Sequence, residues 1–244
     1  MKVLKKVYAI LELVACSPLS AGEIEKQLDL PRPTCARLLK ELTDAGYLKK
    51  TSDNKKYTPG PMGYQVFTLN SCYLPIREIS SEPVKKLAEY ANGNAMTAIL
   101  EGTYKYVLFM HNASSSIQSF IGLRHDDIYL TNTGRVSLAF ASKQEKEKTI
   151  KRIGMPGKVW NNITDIKALE LELGKIREKK VNELILQDEY LTLAASVHIQ
   201  GKTVAIGLVY ENIPDPERIE DLKCKMIETV SEIRELSKEK FILP

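Results

Sequence analysis

The stretch from Ser20 to Tyr57 limits the possible folds of this chain more than any other part of it. Ser20 and Glu23 have the spacing of a capping box, which predicts a helix that begins there and ends near Leu28. A proline fits the first turn of a helix but not its interior, so Pro33 predicts that another helix begins just after a short turn. The stretch therefore predicts two consecutive helices separated by a tight turn.

A basic hairpin is predicted directly after these helices. Gly46 can take the left-handed conformation that ends a helix, so the second helix should end at about Ala45. Lysine-bearing segments at Tyr47–Lys50 and Lys55–Thr58 flank the turn former Ser52–Asn54, which is the pattern of two paired strands. Helix, turn, helix and hairpin in this order predict a winged helix-turn-helix, whose last helix enters the DNA major groove.

The distribution of charge supports this interpretation. The formal net charge is +4, with 11 Lys and Arg against 7 Asp and Glu in residues 1–60 and 24 against 24 in residues 61–244. Between Arg32 and Lys56, seven basic residues stand against three acidic ones. A surface that binds phosphates requires such a local excess of positive charge.

The side chains expected to contact DNA follow from the spacing of apolar residues in the second of these helices. Leucines at three- and four-residue intervals should face a core and leave the polar residues exposed. We predict base-edge contacts by Arg37, Arg32 and Thr34. Phosphate or minor-groove contacts are predicted for Ser20, Lys40, Lys49, Lys50, Lys55 and Lys56. The alternative is a protein-interaction module with a soluble hairpin edge, and the coincidence of helix order with local charge favours double-stranded DNA.

Length and composition suit two domains in a soluble protein. The break Pro59–Pro61 closes a DNA-binding domain over residues 1–60, followed by a linker helix within 61–75 and a larger domain over 76–244. The four cysteines lack metal-ligand spacing and no signal peptide precedes them, which predicts reduced thiols and a cytoplasmic location. No segment is predicted to span a membrane.

The larger domain is predicted to be α+β, with a mainly antiparallel sheet flanked by helices. The predicted helices outside the winged region cover Lys2–Ala15, Met62–Tyr73, Ile76–Ala91, Ser142–Ile153, Asp165–Lys180 and a long segment after Pro216. The predicted strands cover Ala95–Glu101, Tyr104–Met110, Ile117–Ile121, Glu183–Gln187, Thr192–Ile199 and Thr203–Tyr210.

Several short motifs carry a resemblance to a known family. The denser group is Ile10–Leu13, Leu19–Ser20, Glu23–Ile24, Leu28–Pro31, Arg37–Leu39, Leu42, Gly46–Leu48 and Tyr57–Pro61, and the thinner group is Arg77, Pro83, Leu87, Ala88, Gly122 and Leu130–Ala139. With these motifs the chain resembles the IclR family of transcription regulators across nearly its whole length. The resemblance implies a winged helix-turn-helix, a GAF-like effector-binding domain, and homodimers or dimers of dimers on a pseudo-palindromic operator.

A polar loop is the candidate effector site. Its members are Thr131, Asn132, Thr133, Gly134 and Arg135. Such a set could hold a small carboxylate through a charge-assisted fork from the guanidinium, or it could serve only to cap the helix that follows. The resemblance implies that this loop forms one wall of the pocket and that the closing strands, where Ser196 and Gly207 lie, form the other. Asn132, Arg135 and Ser196 depart from the family's pattern, in which a small residue, a lysine and a proline are usual.

Catalytic chemistry is not predicted. His111, His125, His198 and Cys224 are far apart in sequence and lack ligand spacing, so no metal or cofactor is expected. Asp126 and Asp127 have no partnered base or nucleophile, and neither a phosphate loop nor a nucleophile elbow is present. Two alternatives stay open: a constitutive regulator whose larger domain is only an oligomerisation scaffold, and a small-molecule enzyme with an accessory DNA-binding domain.

Overall fold

The computed structural model describes residues 3–51, 55–68, 71–114, 124–126 and 128–240. The chain divides into two compact units, Met1–Leu74 and Pro75–Pro244, and each unit has its own buried core. The predicted turn at Ser52–Asn54, the predicted strand at Ile117–Ile121, and residues Gly122 and Asp127 lie outside the described residues.

The first unit is a winged helix-turn-helix, as predicted. Its elements are α1 (Val3–Cys16), α2 (Ala21–Leu28), α3 (Arg32–Asp44), β1 (Leu48–Lys50), β2 (Tyr57–Pro59) and α4 (Pro61–Thr68). Apolar side chains of α1, α2 and α3 form one core, in which Ile10, Ile24 and Leu38 are almost completely buried. Burial of this kind supplies most of the free energy that holds such short helices in place.

Local rules explain where α2 begins and where α3 ends. Ser20 and Glu23 form the predicted capping box, in which each side chain bonds the other residue's backbone N–H. Gly46 has φ +76°, its N–H bonds the Thr43 carbonyl, and the Tyr47 N–H bonds the Leu42 carbonyl at 2.9 Å. This is a Schellman motif, which satisfies the last carbonyls of α3 and turns the chain into the wing.

The wing is fastened to the helices by backbone bonds. β1 and β2 are antiparallel, with Lys50 opposite Tyr57, and Tyr57 also exchanges two backbone hydrogen bonds with Leu19. Gly60 lies so close to Gly46 that a Cβ on Gly60 would be 2.2 Å from the Gly46 carbonyl oxygen. Only a residue without a side chain allows this crossing of the chain.

The predicted linker helix is shorter than expected. We predicted Met62–Tyr73, whereas α4 is described over Pro61–Thr68, residues 69–70 lie outside the described residues, and residues 71–73 form a turn in which the Ser71 hydroxyl accepts a hydrogen bond from the Tyr73 N–H. Serine side chains compete in this way with helical backbone bonds. The next helix, α5 (Leu74–Ala91), carries Pro75 in its first turn, where a proline is tolerated.

Within its described residues, the second unit contains a six-stranded antiparallel sheet and several helices. After α5 come β3 (Asn94–Glu101), β4 (Tyr104–Asn112), β5 (Arg124–His125), α6 (Asn132–Ala139), α7 (Lys143–Ile153), α8 (Ile166–Glu178), β6 (Asn182–Leu186), β7 (Tyr190–Ile199), β8 (Lys202–Glu211) and α9 (Pro216–Lys240). The strand order is β5-β4-β3-β8-β7-β6. The predicted α+β class is confirmed, and the β7–β8 hairpin turns at Gln200 and Gly201, both with positive φ.

The two faces of this sheet carry different helices. On one face the Thr97 hydroxyl of β3 donates to the Ser80 hydroxyl of α5, and α9 packs against β7. On the other face α6 packs against β3, β7 and β8. Met96 of β3 and Ala194 of β7 both lie directly opposite Gly207 of β8 in the sheet. Residues in such cross-strand positions point to the same face, so all three are on the face that α6 covers. None of the described helices is long and apolar enough to cross a bilayer.

Two glycines of the first unit allow a direct test of the chain crossing. We expect Gly60→Ala to lower the free energy of unfolding by about 1–3 kcal/mol, because the new methyl group overlaps a backbone oxygen. Gly22→Ala in α2 is the matched control, since nothing lies within 4 Å of its new Cβ, and should stabilise by up to about 1 kcal/mol. Calorimetric unfolding of the two variants checks the opposite signs, and equal shifts would contradict this account.

Candidate functional site

The outer face of α3 presents the predicted base-reading residues. Cys35, Leu38, Leu39 and Leu42 point into the core, which leaves Arg32, Arg37 and Lys40 exposed and Thr34 half-buried. Arg37 forms an exposed ion pair with Glu41 at 2.8 Å, with 57% of each side chain accessible. Such a pair contributes little to stability and is easily exchanged for another partner.

The wing adds four lysines to this unit. Lys49, Lys50 and Lys55 are exposed, and Lys56 is half-buried. Lys50 places its ammonium 5.5 Å from the centre of the Tyr57 ring, which restrains its direction. The surface of the first unit thus combines a cationic helix with a cationic hairpin.

Ser20 has a structural role that its prediction as a phosphate ligand did not include. Its hydroxyl donates to the Glu23 carboxylate at 2.7 Å and accepts from the Glu23 N–H at 3.4 Å. Hydrogen bonds from the Ser20 backbone and side chain lower the pKa of Glu23, so the carboxylate stays ionised. A phosphate contact by Ser20 would have to compete with these bonds.

The second unit contains a partly open cavity of about 170 Å³ between the N-terminal end of α6 and the sheet. Its walls are mostly apolar, with a few polar groups on one side. The lining residues are Met96, Lys105, Val107, Met110, Thr131, Asn132, Thr133, Leu186, Thr192, Leu193, Gly207, Leu208 and Val209. An apolar cavity with a few convergent polar groups is the usual form of a small-molecule site.

The polar side of the cavity is built around the start of α6. Thr131 is the N-cap of this helix, and its hydroxyl accepts a hydrogen bond from the Gly134 N–H. The same oxygen accepts a bond of 2.8 Å from the ammonium of Lys105, a β4 residue that is only 3% exposed. Thr131 therefore both caps the helix and borders the cavity, so the two interpretations of the polar loop are compatible for this residue.

The side-chain amide of Asn132 makes hydrogen bonds that hold the fold together. Its Nδ2 donates to the carbonyls of Asn182 and Thr192, at 3.0 and 2.8 Å, and its Oδ1 accepts from the Asn182 amide at 2.7 Å. These bonds join α6 to β6 and β7. Asn132 lines the cavity, but its hydrogen-bonding groups are already satisfied.

Arg135 does not reach the cavity, contrary to the prediction of a carboxylate fork. Its guanidinium donates to the carbonyls of Tyr129 and Val159 and lies 4.4 Å from the centre of the Trp160 ring. Burial lowers its pKa to about 10, and nearby Glu172 partly offsets this effect, so the group stays charged near neutrality. Arg135 thus stabilises the loops that precede α6 and α8, and its guanidinium is not available at the cavity for a ligand.

The other predicted effector residues divide between the cavity and other places. Thr133 and Gly207 line it, and a Cβ on Gly207 would lie 2.4 Å from the Thr133 methyl carbon. Gly134 lies behind it, where a Cβ would meet the Ile128 carbonyl at 2.3 Å. Ser196 lines a separate groove near Arg234 and is not part of this cavity.

Lys105 was missed in the sequence, although a pattern there could have identified it. The turn at Gly102 pairs Leu100 with Lys105 and so places the lysine on the same face as Met96. A lysine on the inner face of a predicted hairpin is unusual, because charged side chains are rarely buried without a partner. The prediction treated this strand only as part of the sheet.

The described residues contain no group of three His, Cys, Asp or Glu side chains that could hold a metal ion. His111 lies 3.7 Å from Glu89, and His198 contacts the Thr203 hydroxyl. All four cysteines are free thiols, and burial raises the pKa of Cys35. These groups stand apart from the cavity lining given above.

Comparisons with known proteins agree with both units. Residues 5–56 match the model of the MarR family, a winged helix-turn-helix group. The probable transcriptional regulator SauR of Cupriavidus necator is 21% identical over 187 residues, which are 72% of this chain and 71% of SauR.

Solved structures match over nearly the full length. An IclR homolog of Microbacterium hydrocarbonoxydans, in complex with 4-hydroxybenzoate, superposes with a TM-score of 0.72 at 18% identity and covers 98% of this chain and 100% of its own. The IclR protein of Thermotoga maritima gives 0.67 at 22% identity, with 96% and 98% covered. The chain therefore shares the fold of IclR-type regulators, as its resemblance to that family implied.

The revised role of Arg135 has a measurable consequence. We expect Arg135→Ala to lower the free energy of unfolding by about 2–4 kcal/mol, because two loop carbonyls lose their donor and the stack on Trp160 is removed. The exposed Arg234→Ala should stay within about 0.5 kcal/mol of the unchanged protein. Urea unfolding followed by circular dichroism tests this, and equal midpoints for both variants would refute the locking role.

Proposed function

We propose that the protein is a sequence-specific, DNA-binding transcription regulator of the IclR type, controlled by a small molecule in its second unit. The observation that carries this proposal is the winged helix-turn-helix, whose α3 exposes Arg32, Arg37 and Lys40 beside a wing of lysines. This combination suits a polyanionic duplex better than a protein surface.

In the proposed complex α3 enters the major groove. Arg37 and Arg32 would reach base edges, where an arginine fork matches the acceptors of guanine. Thr34 would contact a base or a phosphate near the N-terminus of α3. The lysines of the wing, together with Lys40, would contact phosphates or the adjacent minor groove and so position the unit without reading sequence.

The cavity under α6 is the proposed effector site. The related Microbacterium structure holds 4-hydroxybenzoate, which supports a small organic molecule as the class of effector. A ligand can shift a regulator between two arrangements only by its difference in affinity for them. A domain that served only as an oligomerisation scaffold would not require a cavity with convergent polar groups. The cavity therefore favours the ligand-controlled function over the constitutive regulator.

Assembly and location complete the proposal. One small winged unit reads few bases, so a homodimer or a dimer of dimers on a pseudo-palindromic operator is expected. The protein would act in the cytoplasm, without a cofactor and without catalysis. Its partners would be duplex DNA, the effector and further copies of itself.

The recognition helix can be tested with a duplex selected from a random pool. Arg37→Ala should weaken the selected duplex by about 1–3 kcal/mol and reduce the preference over random duplexes, because a base contact is lost. Lys49→Ala should weaken both duplexes alike and reduce the slope of log affinity against log salt by about 1, because a phosphate contact is lost. Fluorescence anisotropy at several salt concentrations measures both effects.

Arg234→Ala, which removes the same charge from α9, is the control and should behave like the unchanged protein. If Arg37→Ala bound selected and random duplexes with unchanged affinities, α3 would not be the reading element.

A further inference from the structure

The second unit carries a basic groove that is separate from the cavity under α6. We infer that this groove is a second ligand site, at which Lys179 and Lys180 hold the phosphate group of a small organic phosphate. The two lysines directly follow α8, and residues of β7 and α9 complete the lining. Ser196, which was predicted to belong to the effector cavity, lies in this groove instead. The site goes beyond the function proposed above.

The groove concentrates positive charge in a part of the chain that is neutral as a whole. Residues 61–244 contain 24 basic and 24 acidic residues. The lining of the groove contains four basic residues and one acidic residue, which gives a local net charge of +3. Like charges in one groove repel one another, and a bound anion relieves this repulsion. The basic residues are Arg177, Lys179, Lys180 and Arg234, and the acidic residue is Glu178.

The two lysines have no counter-charge among the described residues. Lys179 and Lys180 are exposed, and their ammonium groups take part in no ion pair there. Arg177 differs, because its guanidinium already bonds the Glu170 carboxylate at 3.4 Å and the Ala139 carbonyl at 3.0 Å. We therefore assign the contact with the anion to the lysines and leave Arg177 as part of the wall.

Helix α9 adds a third cation to the groove. Arg234 is exposed and forms no ion pair within the described chain. Its acidic neighbours Glu232 and Glu235 each pair with a lysine outside the groove, at 2.9 Å. Basic residues at the end of α8 also complement the dipole of that helix, but this effect does not account for a cation on α9. The groove-lining residues of α9 are spaced by three and four positions and share one face: Ile227, Val230, Ser231 and Arg234.

The groove also offers an apolar surface. Ala195 and Val230 are 3% and 7% exposed, and Ile227 beside them is 37% exposed. Ser196 and Ser231 add hydroxyls that can donate hydrogen bonds. The groove measures about 360 Å³, and small-molecule sites occupy roughly 300–1,000 Å³. A ligand with an anionic group and a compact apolar body therefore matches both parts of the lining.

A phosphate monoester matches the charge of this groove better than a carboxylate does. It carries a charge of about −1.5 to −2 near neutral pH and has three strong acceptor oxygens, whereas a carboxylate has a single charge and two oxygens. Lysine ammonium groups bind phosphates as compact point charges. Because the lysines are exposed and salt screens them, burial of the apolar body contributes part of the affinity.

Three probes separate the phosphate group from the apolar body: phenyl phosphate, inorganic phosphate and benzenesulfonate. We expect calorimetric titration of the full-length protein in about 0.1 M salt to show phenyl phosphate binding at least about fivefold more tightly than either of the others. Inorganic phosphate lacks the ring that covers the apolar surface, and benzenesulfonate carries a single charge. The comparison needs no substitution, so it tests the site in the unchanged protein.

Variants then locate the bound probe. The double variant Lys179→Met/Lys180→Met should weaken phenyl phosphate at least about tenfold, because two charge-assisted contacts are lost. Glu178→Gln should strengthen it about two- to fivefold, because a charge of the same sign as the phosphate is removed from the lining. Lys148→Met, at an exposed lysine of α7 outside the groove, is the matched control and should bind the probe as the unchanged protein does.

Several outcomes would overturn the inference: no binding at millimolar concentration, equal affinity for the three probes, full phenyl phosphate affinity in the double variant, or an equal loss in Lys148→Met. If the double variant fails to fold by circular dichroism, the probe order and Glu178→Gln decide. If the double variant also bound the selected duplex more weakly, the groove would be a DNA contact and the small-ligand site would be refuted. The titrations contain no DNA, so a negative result with intact duplex binding leaves the proposed function standing.

Discussion

The attachment of α6 to the sheet is the constraint on which the candidate effector site depends. At the N-terminal end of α6, the Asn132 amide holds two strand carbonyls, and the bare Cα of Gly207 lets Thr133 approach. Outside the cavity, the Arg135 guanidinium donates hydrogen bonds to the carbonyls of Tyr129 and Val159. These bonds hold the loops that precede α6 and α8. Close-packed interiors hold their side chains in well-defined positions, so these contacts keep the start of α6 in place against the sheet.

The first unit could be predicted well because its determinants are local. A capping box at Ser20, a proline at the start of α3 and a left-handed glycine at Gly46 each act within a few residues. Their effects do not depend on distant parts of the chain. The linker helix was the exception, since apolar spacing favoured its extension to Tyr73 while Ser71 bonded the backbone and formed a turn instead.

The candidate effector site was predicted less well because its determinants are not local. Thr131, Asn132, Thr133 and Gly207 line the cavity, but the direction of Arg135 depends on how α6 is rotated about its axis. Each residue turns a helix by about 100°, so a site residue and a residue on the opposite side can be neighbours in sequence. The inward direction of Lys105 depends likewise on the register of the β3–β4 hairpin, in which the turn at Gly102 places Lys105 opposite Leu100.

The Asn132–Asn182 amide pair has a consequence for how the two units respond to their surroundings. Amides do not titrate and carry no net charge, and this pair is buried, so the bonds that join α6 to β6 and β7 do not depend on pH. The cationic surface of α3 and the wing is exposed and screened by ions over about 10 Å at 0.1 M salt. Ionic strength therefore acts on the proposed DNA-binding surface of the first unit and leaves the amide bonds of the second unit unchanged.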